Sequence, residues 1–350
     1  MFDEIFLLIF SGVIALLFAW AFRTLPAEGW QIVACLPGRK SPDGTWHGVN
    51  FTYYGFFNAV AYVFAVVMFL LMTGSLDITM EIALSVVIPV LAICMWAARV
   101  IARLVEKKHH TFSVGAAAFT GIIIAPIVII LLNATVGQWW AIHIPVTQTM
   151  AAMFIAYAFG EGMGRLACIS FGCCYGKPLK DCNPFIRKIF RRWNFVFWGK
   201  TKKIAYADDL EGVAVIPVQA LTAVLYTGTG LLSFYLFLKG FAAASLILTL
   251  MTTQIWRFVS EFLRADYRGN GRISAYQVMT LIAIAYTLVI LTVTTKSGVA
   301  APNLLLGITS LWNPGLLIFL AILWVVSFVY TGRSSVTTSW IDIQVVKKNI

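Results

Sequence analysis

The sequence is poor in charged residues: only 12% of its 350 positions are Asp, Glu, Lys or Arg. Soluble domains carry about 25% charged residues. The mean hydropathy is +0.85, and 60% of the residues are hydrophobic, so too little polar chain remains for a separate soluble domain. The composition therefore excludes an ordinary soluble enzyme and predicts an all-α polytopic membrane protein.

Acidic residues are scarce as well, with 15 Asp and Glu against 26 Lys and Arg, and the formal net charge is +11. In a chain this apolar, the positive charges fall in loops between membrane spans, where they favour anionic lipid head groups. We therefore interpret the charge as a membrane signal and expect no nucleic-acid partner. The start of the chain lacks a basic stretch and a small-residue cleavage site, so we expect a retained helix there rather than a signal peptide.

Cysteine is also infrequent, and four of the six cysteines lie between positions 168 and 182. Their spacing, C-x4-CC-x7-C, does not match the usual structural zinc patterns, and we expect neither a metal nor a cofactor. A disulfide can form in this segment if it faces an oxidising compartment. For Cys173 and Cys174, packing or a disulfide is favoured over nucleophilic catalysis.

Long apolar runs are the most abundant feature of the sequence, and a run of about 20 residues can cross a bilayer. We predict about nine such helices. They are Glu4–Trp20, Phe51–Thr73, Met80–Leu104, Val114–Asn133, His143–Met163, Pro217–Lys239, Phe241–Phe262, Ala275–Thr294 and Leu304–Tyr330. The last run contains Asn313-Pro314-Gly315, so its spanning part is expected to begin near Gly315.

Three connections between these runs carry further signals. Residues 23–50 are polar and proline-containing, which predicts an irregular arm. Within the long loop 177–216, the stretch FIRKIFRRWNFVFWGK puts Phe185, Trp193 and Phe197 at helical spacing against basic residues. This pattern is typical of a helix in the membrane interface; a solvated run of charges is the alternative. Third, Gly269-Asn270-Gly271 predicts a turn.

With nine helices, alternate loops fall on one membrane face, and nearly all basic residues fall on that face. Only Lys239 and Lys296 lie on the other face, so the charge count predicts a cytoplasmic basic face and an external N-terminus. Polar residues of five predicted helices reach the same basic face. They are Tyr54, Ser113, Arg165, Gln219, Arg257 and Glu261.

The segment GEGMGRLACISFGCCYGKP, residues 160–178, has the strongest functional pattern. Gly160 and Gly164 have the small-xxx-small spacing that lets membrane helices approach closely. Arg165 near the end of a spanning helix is costly unless it pairs or faces water. We interpret this segment as the active-site segment of a membrane enzyme, with a snorkelling arginine as the alternative.

GRLACISFGCCYGKP resembles the signature of prolipoprotein diacylglyceryl transferases, integral-membrane enzymes that lipidate bacterial prolipoproteins. NFTYYGFFNAVAY, IPVQAL and WRFVSEFLRADYRG resemble three further segments of that family, in the same order. The resemblance covers roughly Phe51–Thr294 and implies a seven-helix core with one helix added at each end. The expected division is an N-terminal helix and arm at 1–50, the core at 51–295 with its basic loop at 177–216, and a C-terminal helix and tail at 296–350.

The resemblance implies a reaction and its participants. The diacylglyceryl group of phosphatidylglycerol moves to the thiol of a lipobox cysteine in a prolipoprotein, and glycerol phosphate leaves. Guanidinium groups stabilise the charge that grows on such a leaving group, so Arg165 and Arg257 are the candidate catalytic residues, with Glu261 positioning an arginine or pairing with Arg264. His110 is the candidate base for the thiol. The candidate substrate-binding residues are Tyr54, Gly164, Ser113, Gln219, Arg264 and Gly176.

The sequence departs from the family pattern at several polar positions. Ser113 stands where the family often has a histidine, Cys168 and Cys173 stand where it often has Asn and Glu, and Thr222 replaces a carboxylate. An alternative function is therefore a non-catalytic relative that binds or moves anionic phospholipid. The resemblance also implies a multi-pass protein of the bacterial inner membrane with an outward-facing site, which conflicts with the charge count; we favour the outward site.

Overall fold

A computed structural model describes residues 1–44, 46–106, 113–139, 143–265, 273–294, 301–334 and 340–341. Nine helices have 19 residues or more. They are α1 (Phe2–Thr24), α2 (Tyr53–Ser75), α3 (Met80–Glu106), α4 (Val114–Ala134), α6 (Val146–Phe171), α9 (Val218–Leu238), α10 (Ala242–Leu263), α11 (Ala275–Thr294) and α13 (Pro314–Gly332) within the described ranges. The short helices are α5 (Val136–Trp139), α7 (Pro184–Phe190), α8 (Lys203–Asp208) and α12 (Leu304–Ser310).

Within those ranges, eight helices are long and apolar enough to cross a membrane. These are the long helices without α6, whose hydropathy is lowered by its polar and glycine residues. The 26 residues of α6 nevertheless extend about 39 Å, which exceeds the roughly 30 Å of bilayer hydrocarbon. The predicted all-α polytopic fold is confirmed, and the predicted spans agree with these helices to within a few residues except at the C-terminal end of α6.

The last apolar run breaks where its sequence predicts. Asn303 caps α12 by accepting a hydrogen bond from the Leu306 amide, and α12 ends at Ser310. The Asn313 side chain then accepts from the amides of Gly315 and Leu316, at 2.8 and 3.2 Å. Pro314 occupies the first helical position of α13, where its missing N–H costs nothing. The spanning part of the run therefore begins at Pro314.

The arm at residues 23–50 is more regular than predicted. Strand β1 (Ile32–Lys40) pairs antiparallel with β2 (Trp46–Thr52), and β2 also pairs with β5 (Arg333–Ser334) and β6 (Trp340–Ile341). The prediction of an irregular arm was wrong because proline does not exclude a strand at the edge of a sheet. Pro37 lies on β1. Among the described residues this strand pairs only with β2, so it is an edge strand, and edge strands accept proline.

The predicted amphipathic stretch, residues 185–200, is helical only in its first part. Helix α7 ends at Phe190, and the chain then extends into β3 (Phe195–Val196), which pairs with β4 (Ala214–Val215). Phe197 is fully buried, whereas Phe185 and Trp193 are more than 70% exposed. The predicted single amphipathic helix through Phe197 was therefore wrong, although exposed aromatic residues lie both on α7 and beyond its end.

The chain divides into two compact units. Unit 1 comprises Met1–Ile14, Phe64–Gly162 and Val224–Leu317, and unit 2 comprises Ala15–Val63, Met163–Ala223 and Ile318–Ile350. In unit 1, small buried residues such as Ala98, Ala116 and Ala125 occupy the helix contacts, with Cys94 packed among them. Small side chains let membrane helices approach closely, so packing in this unit resembles that of other helical membrane proteins.

Candidate functional site

The predicted site residues fall in both units, and each unit is described separately. Unit 1 contains Ser113, Arg257, Glu261 and Arg264, and unit 2 contains Tyr54, Gly164, Arg165, Gly176 and Gln219. The candidate base His110 and the predicted turn at residues 269–271 lie outside the described residues.

Arg257 is the centre of a buried polar cluster in unit 1. Its side chain is 12% exposed, and Nη2 donates a hydrogen bond to the Tyr157 hydroxyl oxygen at 2.6 Å. The same nitrogen lies 3.7 Å from Oε1 of Glu161, whose side chain is 8% exposed. A buried guanidinium is stable when it is paired with a carboxylate and hydrogen-bonded. Helix α6 therefore supplies both partners for an arginine of α10.

A second tyrosine supports the same guanidinium. Tyr226 on α9 is close enough to Arg257 to interact with it electrostatically, and its ring centroid is 6.2 Å from that of Tyr157. Its hydroxyl donates to the backbone carbonyl of Thr253 at 2.8 Å, which leaves the oxygen lone pairs to accept from the arginine. Three helices therefore fix the position of one positive charge.

The beginning of α4 lies against this arginine. A Cβ atom on Gly115 would lie 2.7 Å from Nη1 of Arg257, which is closer than real Cβ atoms approach. A side chain at this position would displace the guanidinium, so the start of α4 and Arg257 are in close contact. Ser113 is the N-cap of α4, and its hydroxyl accepts from the Ala116 amide at 3.4 Å. Ser113 therefore positions the helix end beside Arg257.

Glu261 lies one turn after Arg257 on α10. Among the described residues its Oε2 has no hydrogen-bond partner although the atom is buried, and the same is true of Nε of Arg257. In that part of the chain the carboxylate that pairs with Arg257 is Glu161, not Glu261. Buried polar atoms are nearly always paired, so these two atoms are exceptions among the described residues.

The partners of Arg257 were missed in the sequence. Tyr157, Glu161 and Tyr226 belong to apolar runs, where aromatic residues are common and give no signal. Glu161 did give one, because a carboxylate inside a membrane helix is costly and usually functional. Arg264, in contrast, is at the C-cap of α10, as its position after the predicted span suggested.

In unit 2, the end of α6 forms a turn that brings cysteines together. The Cys173 amide donates to the Cys168 carbonyl at 3.0 Å, and the Gly172 amide donates to the Ile169 carbonyl at 3.2 Å. Gly172 has a φ of +68°. These are the two hydrogen bonds and the left-handed residue of a Schellman motif, which places the side chains of Cys168 and Cys173 next to each other.

Cys174 completes a cluster of three thiols. The Sγ atoms of Cys168, Cys173 and Cys174 all lie within 4.8 Å of one another. Hydrogen bonds with the Cys168 and Cys174 thiols, together with burial, raise the pKa of Cys173 well above its ordinary value. Because the thiolate is the nucleophilic form, the raised pKa of Cys173 favours packing over nucleophilic catalysis.

Gln219 and Gly176 hold this turn. Gln219 is buried, and its Nε2 donates to the Cys173 carbonyl at 2.8 Å. The Gly176 amide donates to the Ile216 carbonyl at 3.2 Å, and a Cβ on Gly176 would lie 2.5 Å from that oxygen. The described contacts of Gln219 and Gly176 are therefore with backbone carbonyls, those of Cys173 and Ile216.

Arg165 and Tyr54 both lie close enough to the thiols to interact with them electrostatically. Tyr54 packs on Phe171, with ring centroids 5.2 Å apart. A Cβ on Gly55 would lie 2.1 Å from Cα of Gly332, so glycine is required at that position. At Gly164 the nearest atom to such a Cβ would be Ala61 Cβ at 3.7 Å, an ordinary contact, so an alanine fits at this position.

Lys202 gave no signal in the sequence. It is fully buried, and its Nζ donates to the carbonyls of Ser170 at 2.6 Å and Leu25 at 3.2 Å. Ser170 is in the last turn of α6, where carbonyl groups lack helical partners. Burial lowers the pKa of Lys202 to about 8. The lysine therefore caps the helix that carries Arg165 and the first cysteine.

A comparison with family models now decides the class of this protein. The model for prolipoprotein diacylglyceryl transferase matches residues 45–293, well over half of the chain. The chain belongs to the prolipoprotein diacylglyceryl transferase family. A search of curated proteins found no match. The resemblance predicted from the four segments is confirmed, and this diacylglyceryl transferase relative is a multi-pass membrane protein of a family that acts on prolipoproteins.

Proposed function

We propose that the chain transfers the diacylglyceryl group of phosphatidylglycerol to the thiol of a lipobox cysteine. In this reaction the cysteine sulfur forms a bond to the terminal glyceryl carbon, the bond from that carbon to the phosphate ester oxygen breaks, and glycerol phosphate leaves with the electron pair. The thiol proton passes to a base or to solvent. The family assignment supports the transfer, and the Arg257 cluster supports the anionic donor.

The single observation that carries the proposal is the arrangement around Arg257. The guanidinium lies against the start of α4, and a helix N-terminus carries about half a positive charge. Both charges favour a phosphate, and helix N-termini bind phosphates in many proteins. Since Tyr157 and Tyr226 already hold the guanidinium, little reorganisation is needed when charge develops on the leaving group.

The remaining residues take supporting roles in the proposal. Arg165, in unit 2, is proposed as the second guanidinium that stabilises the leaving glycerol phosphate. Glu261 has a carboxylate oxygen with no partner among the described residues, and we propose that it accepts a hydrogen bond from a hydroxyl or thiol of the substrates. His110 remains the proposed base. Tyr54, beside the signature segment, is proposed to bind the lipid head group.

The proposed location is the bacterial inner membrane, with the site on the outward face where prolipoproteins emerge. The exposed basic and aromatic residues of α7, including Phe185 and Arg187, suit an interface with anionic lipid. A cysteine introduced at Lys188 and labelled with a membrane-impermeant maleimide in intact cells tests the orientation. Labelling from outside supports the proposal, and labelling only after lysis contradicts it.

The catalytic proposal is tested with purified protein in phosphatidylglycerol vesicles and a lipobox peptide. We expect glycerol phosphate release that is lost in Arg165→Ala and in Arg257→Ala but retained in Arg192→Ala, an exposed loop arginine. Release that persists in Arg257→Ala contradicts the role of this cluster. Lipid binding without release favours the alternative function, a non-catalytic relative that binds anionic phospholipid.

A further inference from the structure

The three-thiol cluster has features that the transfer reaction does not use. Cys168 and Cys173 are brought together by the Schellman motif at the end of α6. Cys174 has a φ of +58°, a left-handed conformation that is uncommon for residues other than glycine. Together they give three sulfur atoms within 4.8 Å of one another, although the sequence spacing matched no usual zinc pattern.

The dimensions of the cluster fit one metal ion. A metal–sulfur bond of about 2.3 Å puts the sulfurs of a three-thiolate centre about 3.8–4.0 Å apart. Small side-chain rotations bring sulfurs that lie within 4.8 Å to that separation. Cys173 is buried, and Cys168 and Cys174 are partly buried. Thiolates are soft ligands and select soft or borderline ions over Mg²⁺ or Ca²⁺.

We propose that Cys168, Cys173 and Cys174 bind a single thiophilic divalent ion of the Zn²⁺ or Cd²⁺ type, with the fourth coordination position open. On binding, three S–H bonds break and three metal–sulfur bonds form, because a coordinated thiol is deprotonated. Three protons are released to solvent, and no electron is transferred. An open fourth position filled by water or another small ligand is typical of zinc sites with three protein ligands.

The charge near the cluster supports such a centre. Three thiolates and a divalent ion carry a net charge of about −1, which is costly in a water-poor environment unless it is balanced. Arg165 lies three residues before Cys168 on α6 and interacts with it electrostatically. The positive charge of Arg165 therefore offsets the negative charge of the metal-loaded centre. The metal site does not depend on the transferase reaction, so the two proposals can fail independently.

Cys182 provides a matched control from the same loop. Its Sγ donates to the Pro178 carbonyl at 3.3 Å, and it is not among the three clustered sulfurs. Cys182→Ser is therefore expected to leave metal binding unchanged. Cys168→Ser, Cys173→Ser and Cys174→Ser each remove one ligand. Loss of a direct ligand should exceed the 10–100-fold effect of outer-shell changes, so we expect affinity to fall by on the order of 100-fold or more.

The test is a titration of the full, reduced chain in detergent with Cd²⁺, followed by sulfur-to-metal charge-transfer absorbance and a count of released protons. We expect one ion per chain, about three protons per ion, and displacement of bound Zn²⁺ by Cd²⁺. No absorbance band, or an equal loss in Cys182→Ser, overturns the proposal. Formation of a disulfide within the cluster under the same non-oxidising conditions also overturns it.

A second measurement uses only the wild-type chain, so its result does not depend on whether the cysteine variants fold. Reduced wild-type chain is alkylated with maleimide with and without Cd²⁺, and the modified cysteines are identified by peptide mass spectrometry. We expect the ion to slow the modification of Cys168 and Cys174 strongly while leaving Cys35 unaffected. Equal modification rates with and without the ion overturn the proposal.

Discussion

The two units hold their polar residues in different ways. In unit 1, Arg257 is bound by the side chains of Tyr157, Glu161 and Tyr226, and polar atoms of Arg257 and Glu261 have no partner among the described residues. In unit 2, the side chains of Gln219 and Lys202 bind backbone carbonyls of the signature segment. Changes at Arg257 are therefore expected to affect the reaction more than folding, and changes at Gln219 and Lys202 to affect folding more than the reaction.

The largest expected effect is on the reaction rate of Arg257→Lys. A lysine keeps the charge but lacks the planar guanidinium group that can contact both tyrosines and a phosphate at once. Removing a comparable preorganised donor costs about 10²–10³ in kcat, and we expect a loss of that size in glycerol phosphate release with an unchanged melting temperature. A variant that melts much earlier would assign Arg257 to folding and erase the contrast between the units.

The next largest effect is expected for Glu161→Gln. This change leaves a buried guanidinium without its carboxylate, and breaking a buried ion pair costs about 3–5 kcal/mol. Because the N–O distance of 3.7 Å is long, the lower end of that range is expected in a thermal unfolding measurement. Glu81→Gln, at an exposed first-turn position of α3, is the control. Equal stability of the two variants would show that Arg257 does not need Glu161.

In unit 2, the glycines give a steric comparison. Gly55→Ala puts a methyl group 2.1 Å from Gly332 Cα, whereas Gly164→Ala meets only Ala61 at 3.7 Å. Overpacking costs about 1–3 kcal/mol, occasionally more. We expect Gly55→Ala to lower the melting temperature and the yield of folded protein, and Gly164→Ala to change neither. The reverse order would contradict the packing at both positions.

The smallest expected effect is a pH dependence from Lys202. Its pKa is about 8 in the folded chain against 10.5 ordinarily, so the unfolded chain binds more protons between those values. Stability therefore rises as pH increases from about 8 to 10.5 and is lost as pH falls back through 8. The melting-temperature difference between wild type and Lys202→Met should change across this window. A constant difference would contradict the burial of a charged lysine.

The fold was largely predictable because apolar runs of spanning length leave few alternatives. The Asn313-Pro314 break was predictable because its capping chemistry is local. The hairpin of β1 and β2 was missed because its prolines obscured the Asp43-Gly44 turn, where Gly44 has a φ of +93°. Phe197 was misplaced because helical periodicity was extended beyond α7, where strand pairing determines the structure instead.

The site was less predictable, because its contacts join residues distant in sequence. The hydrogen bond from the Gln219 amide to the Cys173 carbonyl was not predicted, and the role of Gln219 in substrate binding stays a prediction. The sulfur cluster could not be predicted from the spacing of the cysteines, because a Schellman motif and not a zinc-type spacing brings Cys168 and Cys173 together. The roles of Arg165 and Arg257 stay predictions, as does the division into a core with one helix added at each end.

The central claim is that this family member still catalyses the transfer despite its departures at Ser113, Cys168 and Cys173. Mass spectrometry of a lipobox peptide, incubated with the protein in phosphatidylglycerol vesicles, tests it most directly. We predict that the peptide gains one diacylglyceryl group on its cysteine sulfur and that a peptide with serine at that position gains none. A peptide that stays unmodified while the protein binds phosphatidylglycerol would contradict the claim.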